Sequence, residues 1–235
     1  GVVLQGTSNP FVWTPASIEA SHAQLDSNSY TGDIIAKAGE PFKVELQARN
    51  SNGDITPNFG NEIQAAGLVL DSNATASGLV TNKNGELSDY TAFTMSAPAT
   101  FSNDTLTYSE VGFATVTAEI AGQSYLAQYH QPNSGNVVQA HDVGRFIPAA
   151  FELNTGNGFI NVCSSMDPFL YIGDVQQLDP ALRLEAGNTL GEVTENYQDA
   201  YAKAVFEVDA FDKATDPEDT IQLDRLNKAE LEIDW

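Results

Sequence analysis

Apolar and polar side chains alternate with a period of two along much of the chain. In KVELQAR, Val44, Leu46 and Ala48 alternate with Lys43, Glu45, Gln47 and Arg49, the pattern of a strand with one buried face. ATVTAEI (Ala114 to Ile120) and LRLEA (Leu182 to Ala186) follow the same rule. Asn52-Gly53, Ser72-Asn73, Asn84-Gly85 and Gly122 punctuate these runs. Such residues tolerate positive φ or bond their own backbone, so they mark tight turns. Strands recurring about every ten residues as far as Tyr129 predict a β-sandwich. Helical periodicity is confined to ENYQDAYAKAVFEV and TIQLDRLNKAELEI. The second, Thr220 to Ile233, is the better helix candidate, with an edge strand and turn as its alternative; the first also reads as strand.

One motif occurs twice. Ala48-Arg-Asn-Ser-Asn-Gly53-Asp-Ile-Thr-Pro-Asn-Phe59 aligns with Ala186-Gly-Asn-Thr-Leu-Gly191-Glu-Val-Thr-Glu-Asn-Tyr197. Alanine, asparagine, glycine and threonine coincide, and Asp/Glu, Ile/Val and Phe/Tyr are conservative pairs. PASIEA from Pro15 matches PAAFEL from Pro148, and YTGD from Tyr30 matches YIGD from Tyr171, in the same order. The sequence therefore predicts an all-β chain of two tandem Ig-like β-sandwich units, each opening with a strand after a proline. The first unit spans residues 1–130 with an N-terminal extension, a polar linker occupies 131–144, and the second unit spans 145–235. The first copy continues through the hairpin YSEVGFATVTAEI, whereas Gln198 to Trp235 holds no counterpart of it. The second unit is therefore expected to be incomplete within this sequence. The expected reason is that the sequence is a fragment of a longer polypeptide. The alternative is a filament subunit completed by strand donation from a neighbouring chain.

Charge narrows the partners. The chain of 235 residues has 10 Lys+Arg against 32 Asp+Glu, a formal net charge of -22. Nucleic acid is excluded as a partner, because phosphate binding needs clustered cations, and an anionic membrane surface is disfavoured for the same reason. No stretch is apolar for the roughly 18 residues of a membrane span, so insertion is not expected, and GVVLQGTSNP lacks the basic start and apolar run of a signal peptide. The lone cysteine, Cys163, is either a small half-buried hydrophobe or the partner of a cysteine outside this sequence.

Further elements carry a family resemblance. YSEVGFATVTAEIAGQSYLAQ (Tyr108 to Gln128), VGRFIPAAFEL (Val143 to Leu153), the lone Cys163, FLYIGD and ALRLEAGNTLGEVTENY follow one another in order. Together they resemble the C-terminal region of MshQ-like proteins, which are encoded with the biogenesis machinery of mannose-sensitive haemagglutinin type IV pili in Gram-negative bacteria. The resemblance covers most of Tyr108 to Tyr197, and its Gly-Arg-Phe-x-Pro element is the most specific part. Ala149-Ala150 stands where the family often has Asp-His, and Ile172-Gly173-Asp174 where it has Met-Gly-Gln, which makes this chain a divergent relative. The resemblance implies an extracellular protein of the cell surface or pilus, adhesin-like, whose partners are other subunits of a pilus or surface assembly. It implies no catalytic residues.

The residues themselves also speak against an enzyme. His22, His130 and His141 are the only side chains that titrate near neutrality without perturbation, and none sits in a nucleophile motif. Gly156 to Phe159, GNGF, lacks the strand and lysine of a phosphate loop. No cofactor is expected, with calcium as the single candidate. Asp209, Asp212, Asp216, Glu218 and Asp219 lie in one short loop-like stretch, and clustered carboxylates suit a hard cation. Their spacing is not that of an EF-hand, and NSNGDITPNFGNE fails that pattern too, with Ile55 where glycine is required. A solvated acidic loop is the commoner outcome of such composition. A glycan or host surface is the remaining candidate ligand, through Phe11, Trp13 and Trp235, although inter-domain packing would bury the same aromatics. Asn73-Ala-Thr and Asn103-Asp-Thr match the glycosylation acceptor pattern, a match read as accidental in a bacterial protein.

Overall fold

The structure, a computed structural model, describes residues 6, 13–21, 23–24, 32–62, 65–77, 83–121, 137–154 and 183–205. Its strands in chain order are β1 (Ser17–Ala20), β2 (Ala23–Gln24), β3 (Ala36–Lys37), β4 (Phe42–Arg49), β5 (Leu68–Leu70), β6 (Thr75–Ser77), β7 (Leu87–Ser88), β8 (Thr94–Ala97), β9 (Thr100–Tyr108), β10 (Gly112–Ile120), β11 (Val138–Ile147), β12 (Ala150–Asn154) and β13 (Arg183–Gly187). Among the described residues the only helical element is a single 3-10 turn at Asp199–Tyr201. The chain is all-β, as its alternation predicts, and ENYQDAYAKAVFEV supplies only that turn within its described part. Thr220 to Ile233 lies outside the described residues.

Two sheets make the sandwich. One has the order β1-β4-β9-β7, with β8 also on β9; the other runs β2-β11-β10-β5, with β3 on β11 and β6 on β10. β4 carries out the alternation read from KVELQAR, with Phe42, Val44, Leu46 and Ala48 buried. They meet Val116, Ala118, Ile120, Val143 and Phe146 of the other sheet in one continuous core. Phe146 is its aromatic centre, 5.0 Å from the Phe42 ring at 66° and 5.1 Å from Tyr108, the edge and tilted geometries that aromatic quadrupoles favour. Tyr108 is fully buried, and its hydroxyl accepts the Gly85 N–H at 3.1 Å. Burial pushes that phenol up to about 12.

Side chains close one side of the sandwich where, among the described residues, no strand does. The Ile18 N–H donates to Gln139 Oε1 at 3.0 Å, and the Ile18 carbonyl lies 3.0 Å from His141 Nε2. A carbonyl only accepts, so Nε2 bears the proton. Two alternate residues of β11 thus satisfy the outward-facing backbone of edge strand β1, which would otherwise be open to pairing with another chain.

The linker expected over 131–144 is corrected where it is described. Val138 to Gly144 form the first part of β11, paired with β10 from Glu119↔Val138 to Phe113↔Gly144. Gln139 and His141 stand opposite core residues Ala118 and Val116 and share the face of buried Val143, but their polar ends are spent on the Ile18 backbone of β1; Asp142 takes the other face, beside Thr115. Only Pro148 and Ala149 separate β11 from β12.

The two copies of the motif are the same structure. β1 pairs with β4 as Ser17↔Arg49 to Ala20↔Leu46, and β12 pairs with β13 as Ala150↔Gly187 to Leu153↔Leu184. In the first turn Asn50 Oδ1 accepts the N–H groups of Asn52 and Asp54 at 2.8 and 2.9 Å. In the second, Asn188 Oδ1 accepts those of Leu190 and Glu192 at 2.9 and 3.0 Å. Thr56 and Thr194 each return both N–H and hydroxyl to the carbonyl eight residues earlier, Ala48 and Ala186. Gly53 and Gly191 adopt φ of 87° and 79°, the left-handed region that favours glycine. Short polar side chains bonding their own backbone are a self-contained turn device, which is why the motif recurs with its atoms in register.

Candidate functional site: the junction between the repeats

The two turns differ in what their outer faces touch. In the first copy Ser51, Asn52, Gly53, Asp54, Pro57 and Asn58 are exposed. In the second, Asn188 and Asn196 are buried against the end of the first sandwich. The Thr189 N–H donates to the Ala38 carbonyl at 3.0 Å, and Asn188 Nδ2 to the Ser109 carbonyl at 3.4 Å. Gly39, at φ 79°, receives Thr189 so closely that a Cβ there would overlap its hydroxyl. Gly112, at φ 95°, lies under the Tyr201 ring, which a Cβ would meet at 3.0 Å. Tyr201 in turn packs 6.3 Å from Phe113.

Glu110 holds the centre of the junction. It is buried, in the turn between β9 and β10. Its Oε1 accepts the Glu195 N–H at 3.0 Å, and its Oε2 accepts those of Asn196 at 3.2 Å and Val111 at 3.3 Å. Three backbone donors converge on one carboxylate, the arrangement that makes a buried charge tolerable. The Asn196 side chain imitates a strand partner: Nδ2 donates to the Lys83 carbonyl at 2.7 Å and Oδ1 accepts the Lys83 N–H at 2.8 Å. Outside this buried layer Lys83 Nζ pairs with Glu195, and that hydrogen bond holds the lysine above its ordinary range. Both side chains of the pair are half exposed, so it adds little to stability. The arrangement can fix one repeat against the next.

The calcium candidates Asp209, Asp212, Asp216 and Asp219, with Glu218, lie outside the described residues, as do Cys163, His22, His130, Phe11 and Trp235. Among the described residues no group of three His, Cys, Asp or Glu side chains could hold a metal ion, and no helix is long and apolar enough to cross a membrane. Trp13 is 85% exposed. Asn103 is buried, its amide bonded to the Asp89 carbonyl and to Thr105, so that acceptor pattern is an internal structural bond. Sequence reasoning missed Glu110, Gly39, Gly112 and Lys83. The available signal was the second motif itself, in which Asn196 repeats Asn58 while exchanging solvent for a partner.

The sheet order bears on how the chain divides. Residues 14–109 match the second domain of DUF6701 and residues 110–234 match its third domain. The chain belongs to the DUF6701 family. No curated protein and no solved structure matches it. The DUF6701 boundary falls between Ser109 and Glu110, inside the β9–β10 turn and at the residue that supplies the junction carboxylate.

Proposed function

We propose that this DUF6701 segment is a structural module of a bacterial surface or pilus-associated protein, its tandem units acting as a stiff spacer or as subunit-interaction domains. The observation that carries the reading is the buried junction. Domains joined by a linker move relative to one another unless their interface holds them. Here only two residues, one of them proline, lead from the first sandwich into the second copy of the motif, and the second turn is bonded to that sandwich through Glu110, Asn196, Asn188 and Thr189. A spacer needs this fixed relation between neighbouring units; a flexible tether does not. The resemblance of Tyr108 to Tyr197 to MshQ-like proteins supports the extracellular, pilus-associated setting.

The second reading, a glycan- or host-binding adhesin module, draws on Trp13, an exposed indole of the kind that stacks on sugars. A glycan array run with the chain and with Trp13→Ala separates the two. The spacer reading expects no signal that depends on Trp13. Binding that is lost with Trp13→Ala transfers the function to the adhesin reading.

A further inference from the structure

We propose that the second and third DUF6701 domains are joined by strand donation in cis, with β10 and β11, the opening strands of the third domain, forming the centre of the second domain's sandwich. Both strands lie in the residues matching the third domain. In the sheet of order β2-β11-β10-β5, β5 and β6 pair with β10, and β2 and β3 pair with β11. Among the described strands of that sheet, every pairing made by a second-domain strand is therefore made to a third-domain strand. β2, β3, β5 and β6 are two or three residues long, too short to build a sheet without the central pair.

The core divides in the same way. Sheet β1-β4-β9-β7 offers Val44, Leu46, Phe101 and Leu106, all buried. The donated strands cover that face with Val116, Ile120, Val143 and Phe146. The second domain is thus an acceptor, and the partner it fits is an antiparallel pair of strands with apolar residues at alternate positions, ending in an aromatic that docks between Phe42 and Tyr108. Strand addition supplies both the main-chain bonds and the side-chain pockets. In the structure this partner is the next domain of the same chain, so consecutive domains share backbone hydrogen bonds as well as a contact surface. The proposal is independent of the spacer reading and would hold equally for an adhesin.

Native-state hydrogen exchange on the full chain tests it. With increasing denaturant, amides of β4 and β9 in the second domain and of β10 and β11 in the third are expected to converge on one opening transition. Val116→Ala, in the third domain, should then speed exchange in β4 and β9 by the same factor as in β10 and β11, about tenfold or more. Two transitions divided at Glu110, or a Val116→Ala effect confined to residues after 109, would overturn the proposal. If the variant does not fold, one transition or two in the unsubstituted chain still separates the outcomes.

Discussion

The backbone N–H of Asn196 ends on the carboxylate of Glu110, 3.2 Å away and 86 positions earlier in the chain. Glu195 and Val111 donate to the same carboxylate, so Glu110→Gln would retain one acceptor oxygen and turn an NH₂ group toward a backbone donor. Hydrogen bonds to charged groups each contribute about 1.5–3 kcal/mol. Glu110→Gln is expected to cost about 3 kcal/mol, read from denaturant unfolding of the full chain.

Three glycines with positive φ separate conformational strain from collision. Gly53 and Gly191 have nothing within 4 Å of an added Cβ, whereas Gly39 faces Thr189. Gly53→Ala and Gly191→Ala should each cost about 1–2 kcal/mol, the left-handed penalty alone. Gly39→Ala should cost more. Equal losses at all three positions in chemical denaturation would mean that Thr189 does not press on Gly39.

His141 makes stability fall on the acid side. Burial lowers its pKa below the ordinary 6.5, outweighing the bond to Ile18 and the nearby carboxylates of Glu19 and Asp142, which act to raise it. A base whose folded-state pKa is depressed is protonated more readily when unfolded. Its contribution is therefore fully present above pH 6.5 and is lost as the pH falls from 6.5 toward the lower folded value. Thermal midpoints across that window should decline for the parent chain, and the decline should be shallower in His141→Gln.

Tyr108 acts at the other end of the scale. Its phenol is pushed up to about 12 from an ordinary 10.0, chiefly by burial. Stability from keeping it neutral is intact below about pH 10 and is lost as the pH rises toward about 12, a difference of about 2–3 kcal/mol. Tyrosinate absorbance should show Tyr108 ionising only as the chain unfolds. Tyr108→Phe should abolish that late phase and cost about 1–2 kcal/mol through the unsatisfied Gly85 N–H.

The architecture is legible in the sequence where a local rule governs it. Period-two alternation places β4 and most of β10 because one face of each is buried, and the Asn-x-x-Gly spacing defines both turns because their bonds are made within the motif. The linker expectation fails because Gln139 and His141 spend their polar ends on the backbone of β1, a partner the local sequence does not show, so this end of β11 has the composition of a loop. The junction is hidden for a related reason. Glu110 is an ordinary turn glutamate until Glu195 and Asn196 arrive, and a bond across 86 positions leaves no periodic trace. The repeat predicts two similar turns, yet the different fate of Asn58 and Asn196 depends on a neighbour that only the fold supplies.

The distance between spin labels on either side of the junction tests the spacer reading most directly. Labels at Asn52→Cys and Glu152→Cys, both exposed positions, in a Cys163→Ser chain should give one narrow distance distribution by pulsed electron resonance. Glu110→Ala should broaden it while the alternate-residue core of β4 stays protected. A broad distribution in the chain that retains Glu110 would contradict a fixed relation between the two repeats.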